Sequence, residues 1–302
     1  MIIRPHGDVV IRGVIGCVMV VAMVGCVPLP PVDFNAKTQG REGAMTFMSP
    51  LAVEAFRSPL LLPLVVGAPN KLGLPGGNGV QAAELGARWV YQWVPQCNAG
   101  DVECVPMIWG RNDMTATVSS GTWLMGFNEP DLGGQSNLLP VEAAVLWREI
   151  ETLWPEKRLV APAPSHLHPE WIEGFYAAYV TAYGHEPRLD ALAFHCYFAW
   201  ASQCIELGRR FVGLAEAWGV GEVWCTEFAF VPAYSRDAAG EAAKFVTWLE
   251  QEPRVTRYAP YIARQAVCDE FWPDCRPSAN PSLFAADGAL TEIGSWYAKA
   301  TW

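Results

Sequence analysis

Charge is scarce in this sequence: of 302 residues only 17% are Asp, Glu, Lys or Arg, against 51% that are hydrophobic. A chain this apolar can bury a sizeable core, which excludes an extended, solvated polypeptide. Basic charge is scarcer still. With 21 Lys and Arg against 31 Asp and Glu, the net charge is -10, and a polyanion such as nucleic acid would be repelled. The sequence also lacks a CxxC or Cys/His cluster of zinc spacing, a GxGxxG turn and a GxSxG elbow. Those absences remove the signals for a zinc site, a dinucleotide fold and a serine hydrolase. The glycine-rich stretch LPGGNG, Leu74 to Gly79, has the wrong spacing to cradle phosphate. His166 and His168 supply two ligands without a third and read as loop residues. Neither a metal nor a cofactor is expected.

The N-terminal apolar run, Val14 to Val24, has 11 residues, whereas a spanning helix needs about 20. Arg4 and Arg12 precede it, and it ends in MVGC, Met23 to Cys26. This is the pattern of an export signal, and the small residue before Cys26 is similar to a bacterial lipoprotein cleavage site. Residues 1–26 are therefore expected to be a signal, with Cys26 lipidated in a cell-surface or periplasmic lipoprotein; ordinary cleavage and secretion is the rival. A lipid anchor would then be the protein's only membrane attachment. Residues 27–70 read as a linker and N-terminal extension, and 71–302 as a single catalytic domain, expected to be monomeric.

Export permits disulfides. Six cysteines fall into three near pairs with separations of 7, 8 and 7 residues: Cys97–Cys104, Cys196–Cys204 and Cys268–Cys275. These are plausible short bridges, although spacing alone does not fix connectivity. Cys225, left over in an apolar strand, reads as a small buried hydrophobe.

From Lys71 short apolar runs alternate with helical patterns. Strands are expected at Lys71–Leu74, Arg88–Val94, Cys104–Trp109, Trp123–Phe127, Arg158–Ala163, Leu189–Tyr197, Glu222–Phe228 and Arg257–Arg264. Helices are expected at Pro140–Leu153, Pro169–Tyr183, Glu206–Trp218 and Asp237–Glu252, the first opening with Pro and Glu as helix starts often do. Strand and helix in alternation imply a parallel sheet, and eight strands in about 200 residues fit a closed (β/α)8 barrel. A doubly wound sheet is the alternative.

In such a barrel the chemistry sits where strands end. Asn128 and Glu129 end the fourth strand, His195 and Tyr197 share a face of the sixth, and Glu227 tips the seventh. Two carboxylates facing each other in an aromatic cleft are what glycosidic cleavage requires. The 14 tryptophans are mostly core, but indole faces also stack on sugars.

The NEP tripeptide with a glutamate on the seventh strand resembles the retaining glycosidases of clan A. More narrowly, KLGL, WVYQW, CVPMIWG, GFNEPDLGGQSNL, APAPS, AFHCY, VWCTEF and DGALTEIGSWY occur in the order found in glycoside hydrolase family 128, the β-1,3-glucanases. The resemblance implies Glu129 as acid/base, Glu227 as nucleophile, Asn128 on the sugar 2-hydroxyl, and His195 and Tyr197 positioning the nucleophile and its sugar. It also implies Tyr91, Trp93 and Trp109 as cleft wall, though the two tryptophans serve equally as packing beneath the loops. The substrate would be a β-glucan and the action endo, by double displacement, with carboxyl groups about 5–5.5 Å apart rather than the roughly 6.5–9.5 Å of an inverting enzyme. A non-catalytic glucan-binding lipoprotein and another clan A activity, such as mannanase or xylanase, are the alternatives. Two residues depart from the family's pattern. Cys196 stands where relatives carry a bulkier aromatic, and the eighth strand reads RYAPYIAR where an aromatic floor to the sugar site is usual.

Overall fold

The computed structural model describes residues 71–230, 235, 237–264 and 282–299. The elements run β1 (Gly73–Pro75), α1 (Gly79–Leu85), β2 (Trp89–Tyr91), β3 (Glu103–Val105), β4 (Trp123–Met125), α2 (Pro140–Leu153), β5 (Arg158–Val160), α3 (Trp171–Tyr183), β6 (Ala191–Cys196), α4 (Ala201–Ala217), β7 (Glu222–Phe228), α5 (Ala238–Gln251), β8 (Val255–Pro260) and α6 (Glu292–Lys299). All strand pairs are parallel, in two sheets ordered β1-β2-β3 and β4-β5-β6-β7-β8. This is an α/β fold whose larger sheet curls. Isolated parallel bridges lie at both seams, Leu72 with Tyr258 and Met107 with Met125.

All eight expected strands are present, mostly shorter than the apolar runs that announced them. β7 has the expected bounds. α4 begins at Ala201, five residues before the charged pattern that marked it. Two helices had no expectation. LPGGNG leads into α1, where Asn78 accepts from Gln81 N at 3.0 Å and Gln81 Oε1 accepts from Asn78 N at 3.2 Å, a reciprocal cap that starts a helix from a loop sequence. α6 closes the described chain.

Two apolar layers follow from strand alternation. Leu124, Leu159, Leu192, Phe194, Val223 and Cys225 face the helices. Trp89, Tyr91, Val105, Met125, Val160, Ala191, Ala193 and Trp224 face the other way and pack on one another. Among the helices, α2 shows the rule: Ala143, Leu146, Trp147 and Ile150 recur at helical spacing and are buried. Gly126 has no room for a side chain, since a Cβ there would lie 2.5 Å from the Trp147 ring. Lys71 is buried, yet its ammonium donates to the carbonyls of Leu249, Glu250 and Glu252 at 2.8, 2.9 and 3.1 Å. It thereby satisfies the end of α5 with the sign its dipole prefers.

Two of the three expected disulfides are formed, Cys97–Cys104 and Cys196–Cys204, with Cα separations of 5.6 and 5.7 Å. Cys225 is free and buried. Cys268–Cys275, Cys26 and the N-terminal segment lie outside the described residues.

Candidate active site

The carboxyl ends of the strands bring Glu129, His195 and Glu227 together, one ligand atom from each lying within 4.8 Å of the others. Their exposures are 7%, 1% and 4%, so the three are held almost entirely by protein.

Simple alternation would not place the two glutamates there. On β7 Trp224 faces inward and Cys225 outward, so alternation sends Thr226 inward and Glu227 outward. The pairing with β6 instead steps from Phe194–Cys225 to His195–Glu227. Thr226 is the extra residue of a β-bulge, which turns Glu227 inward and sends Phe228 to the outer layer. β4 does something similar. Trp123 and Met125 face inward, then Phe127 packs outward on Trp147 at 6.2 Å, and Asn128 bridges Ala163. Glu129 follows with φ 38°, a left-handed conformation costly for a glutamate and tolerated where surroundings enforce it. Its N–H donates to Ala163 O at 2.9 Å, and Leu132 N and Leu138 N return to the carbonyls of Glu129 and Pro130. Asp131 accepts from Ser165 N at 2.8 Å and from the Ser165 hydroxyl, tying this turn to the loop after β5.

Glu227 is ringed by donors. Its Oε1 accepts from Tyr91 OH and Trp93 Nε1, both at 3.0 Å, and its Oε2 accepts from Tyr197 OH. Tyr91 OH also lies 3.0 Å from Thr226 O. His195 Nδ1 lies 2.9 Å from Glu129 Oε1 and 3.5 Å from Glu227 Oε2, while its Nε2 is buried without a partner. The same three residues present ligand atoms in a cluster that a cation could use, although Glu227 already accepts two neutral donors on Oε1 and one on Oε2.

Burial raises the Glu227 pKa above the ordinary carboxylate value, and the Glu129 charge adds to the rise; His195, Tyr197 and Trp93 pull against it without cancelling it. His195 moves upward too. Burial pushes it down, but the Glu227 charge and the hydrogen bond to Glu129 outweigh that. Burial and then the Glu227 charge push Tyr91 and Tyr197 well above the usual phenol value, so both remain protonated donors.

Asn128 Nδ2 donates to Gln135 Oε1 at 3.1 Å, and its Oδ1 is buried without a partner. Trp93 and Trp109 are half-buried against the inner layer, Trp109 O accepting from Asn128 N at 3.0 Å. Tyr91 is fully buried and supports Glu227 from below, where a cleft-wall position was expected. The eighth strand ends at Pro260, and an aromatic follows it directly. Tyr261, one residue past β8, sets its ring 6.0 Å from Trp93 and 5.7 Å from Tyr197, both edge-on. Register accounts for that placement, because the bulges on β7 shift β8 so that Phe228 pairs with Pro260. His166, read as a loop residue, packs on Phe198 at 4.7 Å and Tyr197 at 5.9 Å. Burial lowers its pKa. No periodic signal in the sequence marked it.

The family described as glycosyl hydrolase catalytic core matches residues 74–297. Among curated proteins, none matches the chain. Among solved structures, the chain is similar to a family 128 subgroup II endo-β-1,3-glucanase from Pseudomonas viridiflava, at 28% identity over 76% of this chain and 97% of that one, TM-score 0.58. A Sorangium cellulosum endo-β-1,3-glucanase of the same subgroup gives 25% identity, 76% and 98% coverage, and TM-score 0.60. A curdlan-specific exo-β-1,3-glucanase from Blastomyces gilchristii, subgroup III, gives 23%, 76% and 98%, and 0.61. With three quarters of its length matched by one family and a carboxylate pair at its strand ends, the chain belongs to the glycosyl hydrolase catalytic core family and is a glycoside hydrolase.

Proposed function

We propose that this chain is a β-1,3-glucanase that works by retaining double displacement. The observation that carries the mechanism is the approach of Glu129 and Glu227 through ligand atoms within 4.8 Å. Oxygens this near to each other suit the carboxyl separation of about 5–5.5 Å in retaining enzymes better than the roughly 6.5–9.5 Å that leaves room for a water in inverting ones. Glu227, ringed by Tyr91, Trp93 and Tyr197, is the nucleophile. Three donors stabilise its ionised form and restrict its oxygens to one line of attack. Glu129, with one oxygen on His195, protonates the leaving oxygen and later deprotonates the water. The unpartnered Asn128 Oδ1 accepts from the 2-hydroxyl of the sugar bound over Glu227. Trp93, Trp109 and Tyr261 line the sugar path.

The two sheets are proposed to be one closed (β/α)8 barrel, which the bridges at both seams support. The glucan assignment draws on the neighbours. The Amycolatopsis mediterranei endo-β-1,3-glucanase was solved with laminaripentaose in one glutamate variant, and with laminaritriose and laminaribiose in another. Those two glutamates are separated by one residue fewer than Glu129 and Glu227. Export, with Cys26 lipidated, is proposed for the segment before the catalytic domain, and the two disulfides suit an oxidising compartment. Reducing-sugar release across β-1,3, β-1,4 and β-1,6 glucans, xylan and mannan tests the substrate. Cleavage of laminarin and curdlan alone is expected; binding without release, or preference for another linkage, overturns it. NMR of the first-formed anomer tests retention, and inversion would sink the mechanism.

A further inference from the structure

We propose that the Cys196–Cys204 cystine is a positioning device for catalysis: it fixes the turn from β6 to α4 so that Tyr197 stays bonded to Glu227. The inference rests on Glu227 being the nucleophile, as proposed above.

The turn contains no residue type that fixes turns locally. Between the end of β6 and the start of α4 lie Tyr197, Phe198, Ala199 and Trp200. None is glycine, proline, asparagine or aspartate, the residues that fix turns locally. Trp200 sits at the N-cap of α4 and provides no side-chain cap, and it is 49% exposed. Yet Tyr197, the first residue of this turn, must place its hydroxyl on Glu227 Oε2. Cys196 lies between His195, bonded to Glu129, and Tyr197, bonded to Glu227. It faces the outer layer and is fully buried, so it touches neither carboxylate. Its bridge to Cys204, eight residues on and also fully buried, spans the whole turn. Other ties are present as well: Ala229 N donates to Cys196 O at 3.3 Å, Ala201 N donates to Glu241 Oε2 at 2.6 Å, and rings of His166 and Tyr261 pack on Phe198 and Tyr197, but the cystine is the one covalent tie that the described residues place across this turn.

The molecule contains its own control. Cys97–Cys104 closes a loop of seven residues with nearly the same Cα separation, and chain-entropy arguments give two such loops nearly equal effects on stability. Removing each bridge in the full-length enzyme, as Cys196→Ala/Cys204→Ala and as Cys97→Ala/Cys104→Ala, separates positioning from plain stabilisation.

Both pairs should lower Tm by similar amounts. Only the first should reduce kcat on laminarin, by about 10-fold or more, with a smaller change in KM. Only the first should also move the acid limb of kcat/KM to higher pH, because Tyr197 holds the Glu227 pKa down. Tyr197→Phe should then cost activity in the wild type and in the Cys97→Ala/Cys104→Ala background, but little in the other, the non-additivity of groups acting through one contact. A spectroscopic titration supplies the readout that needs no turnover. Freed from burial, Tyr197 should ionise near the ordinary phenol value in the Cys196→Ala/Cys204→Ala enzyme alone.

Equal kinetic effects of the two pairs, or additive loss on adding Tyr197→Phe, overturns the inference. So does failure of both Cys196→Ala/Cys204→Ala and the volume-restoring Cys196→Val/Cys204→Ala to fold while the other pair folds, since the bridge is then a stability element. A wild type that releases no sugar counts against the glucanase reading instead, and the tyrosine titration then decides the positioning.

Discussion

The two ends of the inward-facing layer use the same side chains for opposite purposes. At the amino ends of the strands, Trp89, Trp123 and Trp224 pack together, with ring centroids 5.4 and 4.6 Å from the Trp224 ring. Over their faces lie cations. Arg257 sits 4.4 Å from the Trp224 centroid and 5.3 and 5.5 Å from those of Trp89 and Trp123, and Arg158 lies 3.9 Å from Trp123. At the carboxyl ends, Tyr91, Trp93 and Tyr197 surround an anion, Glu227, with their polar hydrogens rather than their faces. An aromatic ring is negative on its face and positive at its edge, so one residue class can close one end with cations and equip the other for a carboxylate. The closed end fills its space with side chains. The open end leaves half-buried rings at the mouth and spends stability on a buried acid.

The largest effect that would test this division belongs to the open end. If Glu227 is the nucleophile proposed above, Glu227→Gln should lower turnover by at least about 10⁴-fold on glucans and on activated aryl glycosides alike, because no leaving group compensates for its loss. Glu129→Gln should lower glucan cleavage by roughly 10²–10⁴-fold while leaving aryl glycosides partly active. Equal losses on both substrates in both variants would break the assignment of roles.

The closed end should behave in reverse. Trp224→Ala removes a fully buried indole from beneath Arg257 and should cost about 3–5 kcal/mol of stability. Below the new midpoint, kcat should remain within about two-fold of wild type. A large kcat defect in folded Trp224→Ala would mean that the two ends are mechanically coupled.

A smaller effect exposes the cost of the open end. The Glu227 pKa is higher in the folded protein than in the unfolded chain. Its contribution is therefore fully present below the ordinary carboxylate pKa of about 4.3 and lost as pH rises through the folded value. Glu227→Gln should match the wild type in Tm near pH 4 and exceed it at pH 8. His195, raised as well, adds to the wild type's decline over the neutral range. A variant less stable than wild type at pH 8 would show that the ring of donors outweighs desolvation.

This asymmetry also explains what could be read from the sequence. The closed end and the layers are periodic: Trp123 and Met125 alternate with Leu124, and Ala191 and Ala193 with Leu192, so strands and their order were legible. A single carboxylate at a strand end is ordinary; Glu129, Glu227, Asn128 and Tyr197 stood out because three strand ends carried such residues together, in motifs that resemble one family. Their mutual placement was not periodic at all. It depends on the bulge at Thr226, the left-handed turn at Glu129 and the shifted pairing of Phe228 with Pro260. Those are tertiary events with no spacing signal, which is why the ring contacts of Tyr261 and of the loop residue His166 were not foreseen and Tyr91 was assigned to the wall although its hydroxyl bonds Glu227.

The smallest expected effect tests the ring-face argument itself. Arg257 also pairs with Glu103 through two contacts, at 2.9 and 3.2 Å, but the Glu103 side chain is 41% exposed, so water and salt reach that partner and weaken the pair. The three indole faces beneath the guanidinium should be worth more, on the order of 1–2 kcal/mol, because the cation there is mostly shielded from water. Arg257→Met keeps a stem of similar length and removes the charge, so it should cost about that much by chemical denaturation, with little change when salt is raised. Glu103→Gln should cost less and lose its effect in high salt. If the two substitutions cost the same and both fade with salt, Arg257 is held by its ion pair, and the faces of Trp89, Trp123 and Trp224 are filling space without attracting charge.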